Sequence, residues 1–163
     1  MTDGRNFDVV VAGGGVIGAF VARELSRSSL RVCVAEAAAD VAMGSSGANS
    51  GIVHGGFDPD PGTLKAKFNV EGCRMMPEVT SQLDVPFKMI GSLVAARSAE
   101  EMGTLDELMR RGRANGVQDL ELLDAAALHR LEPRLDPQLC GALYCPHSGI
   151  VCPYELTQAA MEN

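Results

Sequence analysis

Six residues near the start, Gly13-Gly14-Gly15-Val16-Ile17-Gly18, restrict this chain more than any other stretch. They follow Phe7-Asp8-Val9-Val10-Val11-Ala12, a short β-branched run that reads as a buried strand. After them Ala19 to Arg27 is helical in pattern, with Val21, Ala22 and Leu25 on one face. Leu30 to Ala35 reads as a second strand, and Glu36 closes it. Strand, glycine turn, helix, strand and acid therefore follow in that order. Each part has a physical task in holding a dinucleotide. Gly13 permits the tight turn, Gly15 lets backbone N–H groups approach a diphosphate, and Gly18 lets the helix lie close on the strand. The helix terminus at Val16 and Ile17 supplies unpaired donors and a partial positive charge. Glu36, eighteen residues past Gly18, is placed to accept from ribose hydroxyls, and its charge disfavours a 2′-phosphate. A β-α-β turn that merely needs glycine, or a pocket for an adenosine-type methyl donor, would share part of this pattern.

The next segment separates these readings. A long loop runs from Ala37 through Gly44-Ser45-Ser46-Gly47-Ala48-Asn49-Ser50-Gly51-Ile52-Val53-His54-Gly55-Gly56 to Asp58. Long loops without regular structure tend to be functional. Small and hydroxyl-bearing residues let a backbone approach a flat ring and offer it N–H donors. A nicotinamide fold usually passes straight from the acid to another helix and strand, whereas a flavin needs extra chain between diphosphate and ring. The segment therefore favours FAD over NAD, and a methyl donor leaves it without a task.

On these residues the chain resembles the D-amino-acid-oxidase-like superfamily of flavoproteins. Residues 45–56, with Pro61-Gly62-Thr63-Leu64-Lys65-Ala66-Lys67, resemble two of its branches. These are the FAD-dependent glycerol-3-phosphate dehydrogenases, especially the anaerobic type, and the L-2-hydroxyglutarate dehydrogenases and oxidases. Gly149-Ile150-Val151-Cys152-Pro153-Tyr154-Glu155-Leu156-Thr157 resembles the segment where such proteins return from substrate domain to FAD domain. The resemblance implies FAD held by Gly13, Gly15, Val16, Ile17, Gly18, Glu36, Ser45, Ser46, Asn49, Ser50, Gly51 and Val53. His54 is the candidate catalytic residue, with three roles open: a covalent link to flavin, as a nearby histidine makes in some members; a hydrogen bond that helps remove a hydroxyl proton; or fixing the loop.

Composition narrows the partners. Fourteen cationic against 21 acidic side chains give a net charge of −7, which argues against binding a phosphate backbone non-specifically. Aromatics are 4% and Trp is absent, so stacking platforms for single-stranded nucleic acid are missing. No apolar run is long enough for a membrane helix. The five cysteines, with no signal-peptide layout, read as reduced thiols of a cytoplasmic protein. Cys140, Cys145, His147 and Cys152 match no common zinc spacing, and no metal is expected.

Farther along, Thr63 to Asp84 reads as a helix that Pro77 kinks or restarts, with Met75 and Met76 as core filler. Lys65 and Lys67 are solvated helix charges or approach an anion. Val85–Ile90 and Ser92–Ala96 read as strands joined through Gly91. Ser98 with Glu101 makes a capping box, and that helix stops near Asn115-Gly116. Leu120–Leu123 is a short strand, Asp124 caps a helix through Leu131, and Gly141–Cys145 is another strand. His129, Arg130 and Arg134 read as surface. Pro153 opens a last helix, Glu155 to Asn163, with no stop signal.

The expected fold class is α/β, a Rossmann-like FAD-binding domain with an inserted α+β substrate subdomain. Residues 1–84 form its first part, 85–150 the substrate subdomain and 151–163 the return. Family members are much longer. The chain therefore reads as an N-terminal fragment or one half of a split enzyme, truncated at the C-terminus, poorly stable and inactive alone. The complete protein would transfer a hydride to flavin from a small anionic hydroxy substrate, glycerol 3-phosphate or a 2-hydroxy acid. Its electron acceptor stays open, as does a second subunit or peripheral membrane contact through the remaining length.

Overall fold

A computed structural model describes residues 6–163. The chain divides into two compact units. The first comprises the chain up to Gly51 with Glu78–Phe87 and Val151–Asn163; the second comprises Ile52–Pro77 and Lys88–Ile150.

In the first unit β1 (Val9–Ala12) and β2 (Val32–Ala35) pair in parallel, Val9 opposite Val32 and Ala12 opposite Ala35. The helix α1 (Val16–Leu25) connects them and packs on both strands. The sheet has these two strands and no third among the described residues. One face carries Val9, Val11, Val32 and Val34, all half-buried. On the other face Val10 is 61% exposed. α5 (Pro153–Glu162) lies along α1, and small residues make that approach possible: Ala19 and Ala160 are both buried. Pro153 stands at the start of α5, where a missing N–H costs nothing.

The second unit is built on an antiparallel sheet in which β7 (Gly141–Cys145) lies between β5 (Ser92–Ala96) and β6 (Glu121–Asp124). β7 is apolar along nearly all its length because both its faces are covered. α3 (Ala99–Ala114) covers Leu143 and Cys145 through Leu105 and Met109. α4 (Ala125–Leu131) sets Leu128 against Ala142 and Leu123. Both helices begin as the sequence requires: the Glu101 N–H donates to Ser98 Oγ at 3.2 Å and the Ala127 N–H to Asp124 Oδ1 at 2.7 Å. Asn115 caps the end of α3, and Gly116 follows with φ +83°.

Other elements depart from the sequence expectation. Ile52–Val53 and Gly149–Val151 form two short strands, β3 and β8, that pattern alone did not single out. They pair antiparallel, Ile52 opposite Ile150 and Val53 opposite Gly149, and β4 (Phe87–Met89) lies on the far side of β8. The strand expected over Val85–Ile90 is confined to these three residues. Pro77 neither ends nor restarts α2 (Leu64–Gln82), which runs through it; the division between the units falls just after it. Met75 is 58% exposed, not core filler, because α2 turns Ala66, Val70 and Cys73 inward instead. His129 is half-buried rather than surface, and its Nε2 is enclosed without a partner. Arg130 and Arg134 are exposed.

Candidate functional site

The glycine turn lies at the junction of β1 and α1. Gly13 has φ +102°, a conformation that L side chains rarely adopt, and its N–H donates to Ala35 O at 2.8 Å. A Cβ on Gly18 would collide with the carbonyl oxygen of Gly13. The helix is therefore pressed onto the turn, as the spacing of the motif demands.

Two further donors of the turn, the Gly14 and Val16 N–H groups, have partners within the first unit. The Gly14 N–H donates to Glu36 Oε2 at 2.6 Å, and the Ala38 N–H donates to Glu36 Oε1 at 2.7 Å. The Ala38 bond, then the Gly14 bond, holds the Glu36 carboxyl below the usual range for a glutamate. Glu36 is thus ionised and fixed at the end of β2. A carboxylate has about four acceptor positions, so it keeps capacity for ribose hydroxyls. At the helix terminus, Gly15 offers no side-chain cap. Ser46 replaces it: the Val16 N–H donates to Ser46 Oγ at 2.9 Å. A Cβ on Gly15 would sit 3.0 Å from that oxygen. The bare Gly15 thus leaves room for a hydroxyl of its own chain.

The loop that carries Ser46 is held from several sides. The Ala42 N–H donates to Gly14 O at 3.0 Å. Asn49 Nδ2 donates to Ser45 O and Ser46 O at 3.1 and 2.7 Å, and Asn49 Oδ1 accepts from the Gly51 N–H at 2.8 Å. The side chain of Asn49 is therefore engaged within the loop. The Tyr154 ring stands 2.6 Å from where a Cβ on Gly47 would be. Ser45 and Ser50 are exposed. Sequence reasoning missed Tyr154 and the Ser46 cap. Both contacts join residues far apart in the chain, and no local pattern announces them.

In the second unit, His54 is exposed, and among the described residues no group hydrogen-bonds its imidazole. Its neighbours are anchored on both sides. Val53 pairs with Gly149, and Gly55 lies so close to Cys145 Sγ that a Cβ there would overlap it. The backbone around His54 is thus held by other residues. Lys65 is exposed; Lys67 lines a groove of about 390 Å³ with Thr63, Arg74 and Asn115. Burial raises the pKa of the Cys73 thiol, which donates to His147 O at 3.3 Å, so it is no reactive nucleophile. The five cysteines are free, and no cluster of His, Cys, Asp and Glu among the described residues could hold a metal. No helix of these residues is long and apolar enough to cross a membrane.

The left-handed turn at Gly13, the overlap that keeps Gly18 bare and the carboxylate at the end of β2 together fit the adenosine half of a dinucleotide. That arrangement defines a Rossmann-type cofactor domain of the α/β class. The chain belongs to the DAO family of FAD-dependent oxidoreductases, whose model matches residues 8–163, and the family's cofactor is FAD. It is 44% identical over 157 residues to a glycerol 3-phosphate dehydrogenase of Caloramator mitchellensis, covering 96% of this chain and 33% of that protein. It is 39% identical over 147 residues to a mitochondrial L-2-hydroxyglutarate dehydrogenase of Caenorhabditis elegans, covering 89% and 34%. Its fold matches the dithionite-reduced L-α-glycerophosphate oxidase of Mycoplasma pneumoniae with FAD bound. The TM-score is 0.90 at 31% identity, over 97% of this chain and 42% of the other. The chain thus spans about a third of the length of the relatives it matches by sequence.

Proposed function

We propose that this chain supplies the cofactor-binding part of an FAD-dependent oxidoreductase acting on a small anionic hydroxy compound, glycerol 3-phosphate or a 2-hydroxy acid. The observation that carries the reading is the glycine turn with Glu36 ionised beside it. Similarity to a glycerol 3-phosphate dehydrogenase and an L-2-hydroxyglutarate dehydrogenase supports the substrate class. In this reading residues 13–18 hold the diphosphate and Glu36 the ribose, while Ser45, Ser46, Asn49, Ser50, Gly51 and Val53 line the way to the ring. Residues 1–84 and 151–163 serve the cofactor, and 85–150 the substrate. When bound, FAD accepts the hydride. His54, exposed on an anchored backbone, takes the proton of the substrate hydroxyl through its imidazole.

A second reading, a nucleotide-binding part without activity of its own, is favoured by the two-stranded parallel sheet with an exposed face. Parallel sheets are ordinarily covered on both faces. One experiment separates the readings. The purified chain, supplied with FAD, is expected to be yellow in both readings; joined to the further length its relatives have, its flavin is bleached by anaerobic glycerol 3-phosphate or L-2-hydroxyglutarate in the first reading only. A yellow protein that neither substrate bleaches selects the second, and a colourless one removes both. A colourless pellet after acid precipitation of the yellow protein excludes a covalent bond to His54.

A further inference from the structure

We propose that a small cavity of the second unit binds an oxyanion of a few heavy atoms, a carboxylate or a phosphate, with Arg74 as its anchor. All of its lining belongs to the second unit, so it owes nothing to the glycine turn.

The cavity holds about 170 Å³. Val70 and Val117, both buried, give it an apolar wall, and Arg74, Gln118 and His147 supply its polar groups. A water takes about 30 Å³ of the liquid, so the space suits roughly five heavy atoms, the size of a phosphate or a short carboxylic acid. Cys73 borders the cavity without competing for a ligand, because its thiol donates to His147 O at 3.3 Å.

Arg74 selects the charge. Its Nη2 donates to Gly116 O at 2.7 Å, just past the end of α3. That bond steadies a long side chain and uses one of about five N–H donors, so the planar fork is in place before a ligand arrives. Arg111, in the same unit, is matched by Asp60 and Glu107. Arg74 has no carboxylate partner among the described residues. Asp119, beside Gln118 in the chain, is spent on His147: its Oδ2 lies 3.0 Å from His147 Nε2. The competing reading is that Arg74 does no more than bond the last carbonyls of α3, its other donors facing water. The two readings differ in whether an anion binds here saturably.

The test follows the imidazole signals of the chain by proton NMR, at fixed pH and ionic strength, during titration with sodium phosphate and, separately, sodium acetate. The chain has three histidines, and His147→Gln identifies the signal of His147. At least one anion is expected to shift that signal saturably, half-way at about 1 mM, while His54 and His129 stay unmoved; the tighter probe tells phosphate from carboxylate. Arg74→Ala is expected to weaken the binding about tenfold. Arg74→Lys, which keeps the charge and loses the fork, weakens it less. Arg110→Ala removes an exposed cation outside the cavity and leaves binding unchanged. A His147 signal that neither anion shifts saturably overturns the proposal. So does an Arg74→Lys protein, its His129 signal unaltered, that binds as the unsubstituted chain does. Equal weakening by Arg110→Ala overturns it too, as the mark of general attraction to charge.

Discussion

The two units solve the problem of burying a sheet differently. In the second, the central strand β7 is covered on both faces, and Ala142, Leu143 and Cys145 are fully enclosed. In the first, the parallel pair β1–β2 has α1 on one face and leaves Val10 on the other largely open. Yet the glycine turn and the helix terminus belong to this first unit. In the reading proposed above, recognition of the cofactor falls to the unit whose own sheet buries less, and the better-enclosed core lies where local packing alone suffices. Binding a nucleotide to the native turn stabilises it by mass action, so the first unit has more to gain from its cofactor than the second.

The largest expected effect tests the second unit. Leu143→Ala leaves a cavity in a covered sheet and should cost about 2–5 kcal/mol. Denaturant unfolding followed by circular dichroism measures it, and a loss under 1 kcal/mol breaks the claim that this core closes on itself. Gly18→Ala is next. Its methyl meets a backbone oxygen that cannot swing away, an overpacking of about 1–3 kcal/mol, and it should also abolish FAD retention. A Gly18→Ala protein that stays yellow contradicts the close helix–turn approach. Ser98→Ala removes the cap of α3, at about 1 kcal/mol, and should leave FAD affinity untouched; a change in both would mean that the units are not independent.

The smallest effect concerns pH. The folded state depresses the Glu36 pKa, so its bonds add stability above the ordinary glutamate range. That contribution is lost as pH falls through the lowered value. Glu36→Gln should flatten this acid limb, and identical acid profiles for the two proteins would show that the Ala38 and Gly14 bonds count for little in solution. Glu36 is exposed, so the change is a modest one.

Features whose cause lies within a few residues were legible. Gly13, Gly18 and Glu36 follow from a turn and the strand beside it; Ser98, Asp124 and Pro153 announce helix starts because caps and N1 prolines are local. Long-range contacts were not. β3 and β8 are too short for a period to show; β3 pairs with β8, and β8 with both β3 and β4. The inward face of α2 was misjudged because the helix is apolar on opposite sides: Leu64, Phe68 and Met75 are exposed, and Ala66, Val70 and Cys73 are enclosed. His129 looked like a surface residue because one sequence cannot show which helix positions a sheet will cover. The helix cap at Ser46 lies thirty residues from its donor, beyond any motif.

The Tyr154 ring against Gly47 gives the protein a built-in optical label. The chain has no tryptophan and two tyrosines: Tyr154 beside the serine loop of the first unit, and Tyr144 in the second, where its ring lies against Gly91. Replacing either tyrosine with phenylalanine leaves a protein whose tyrosine emission comes from one unit alone, so melting and ligand uptake can be followed in each half without an added dye.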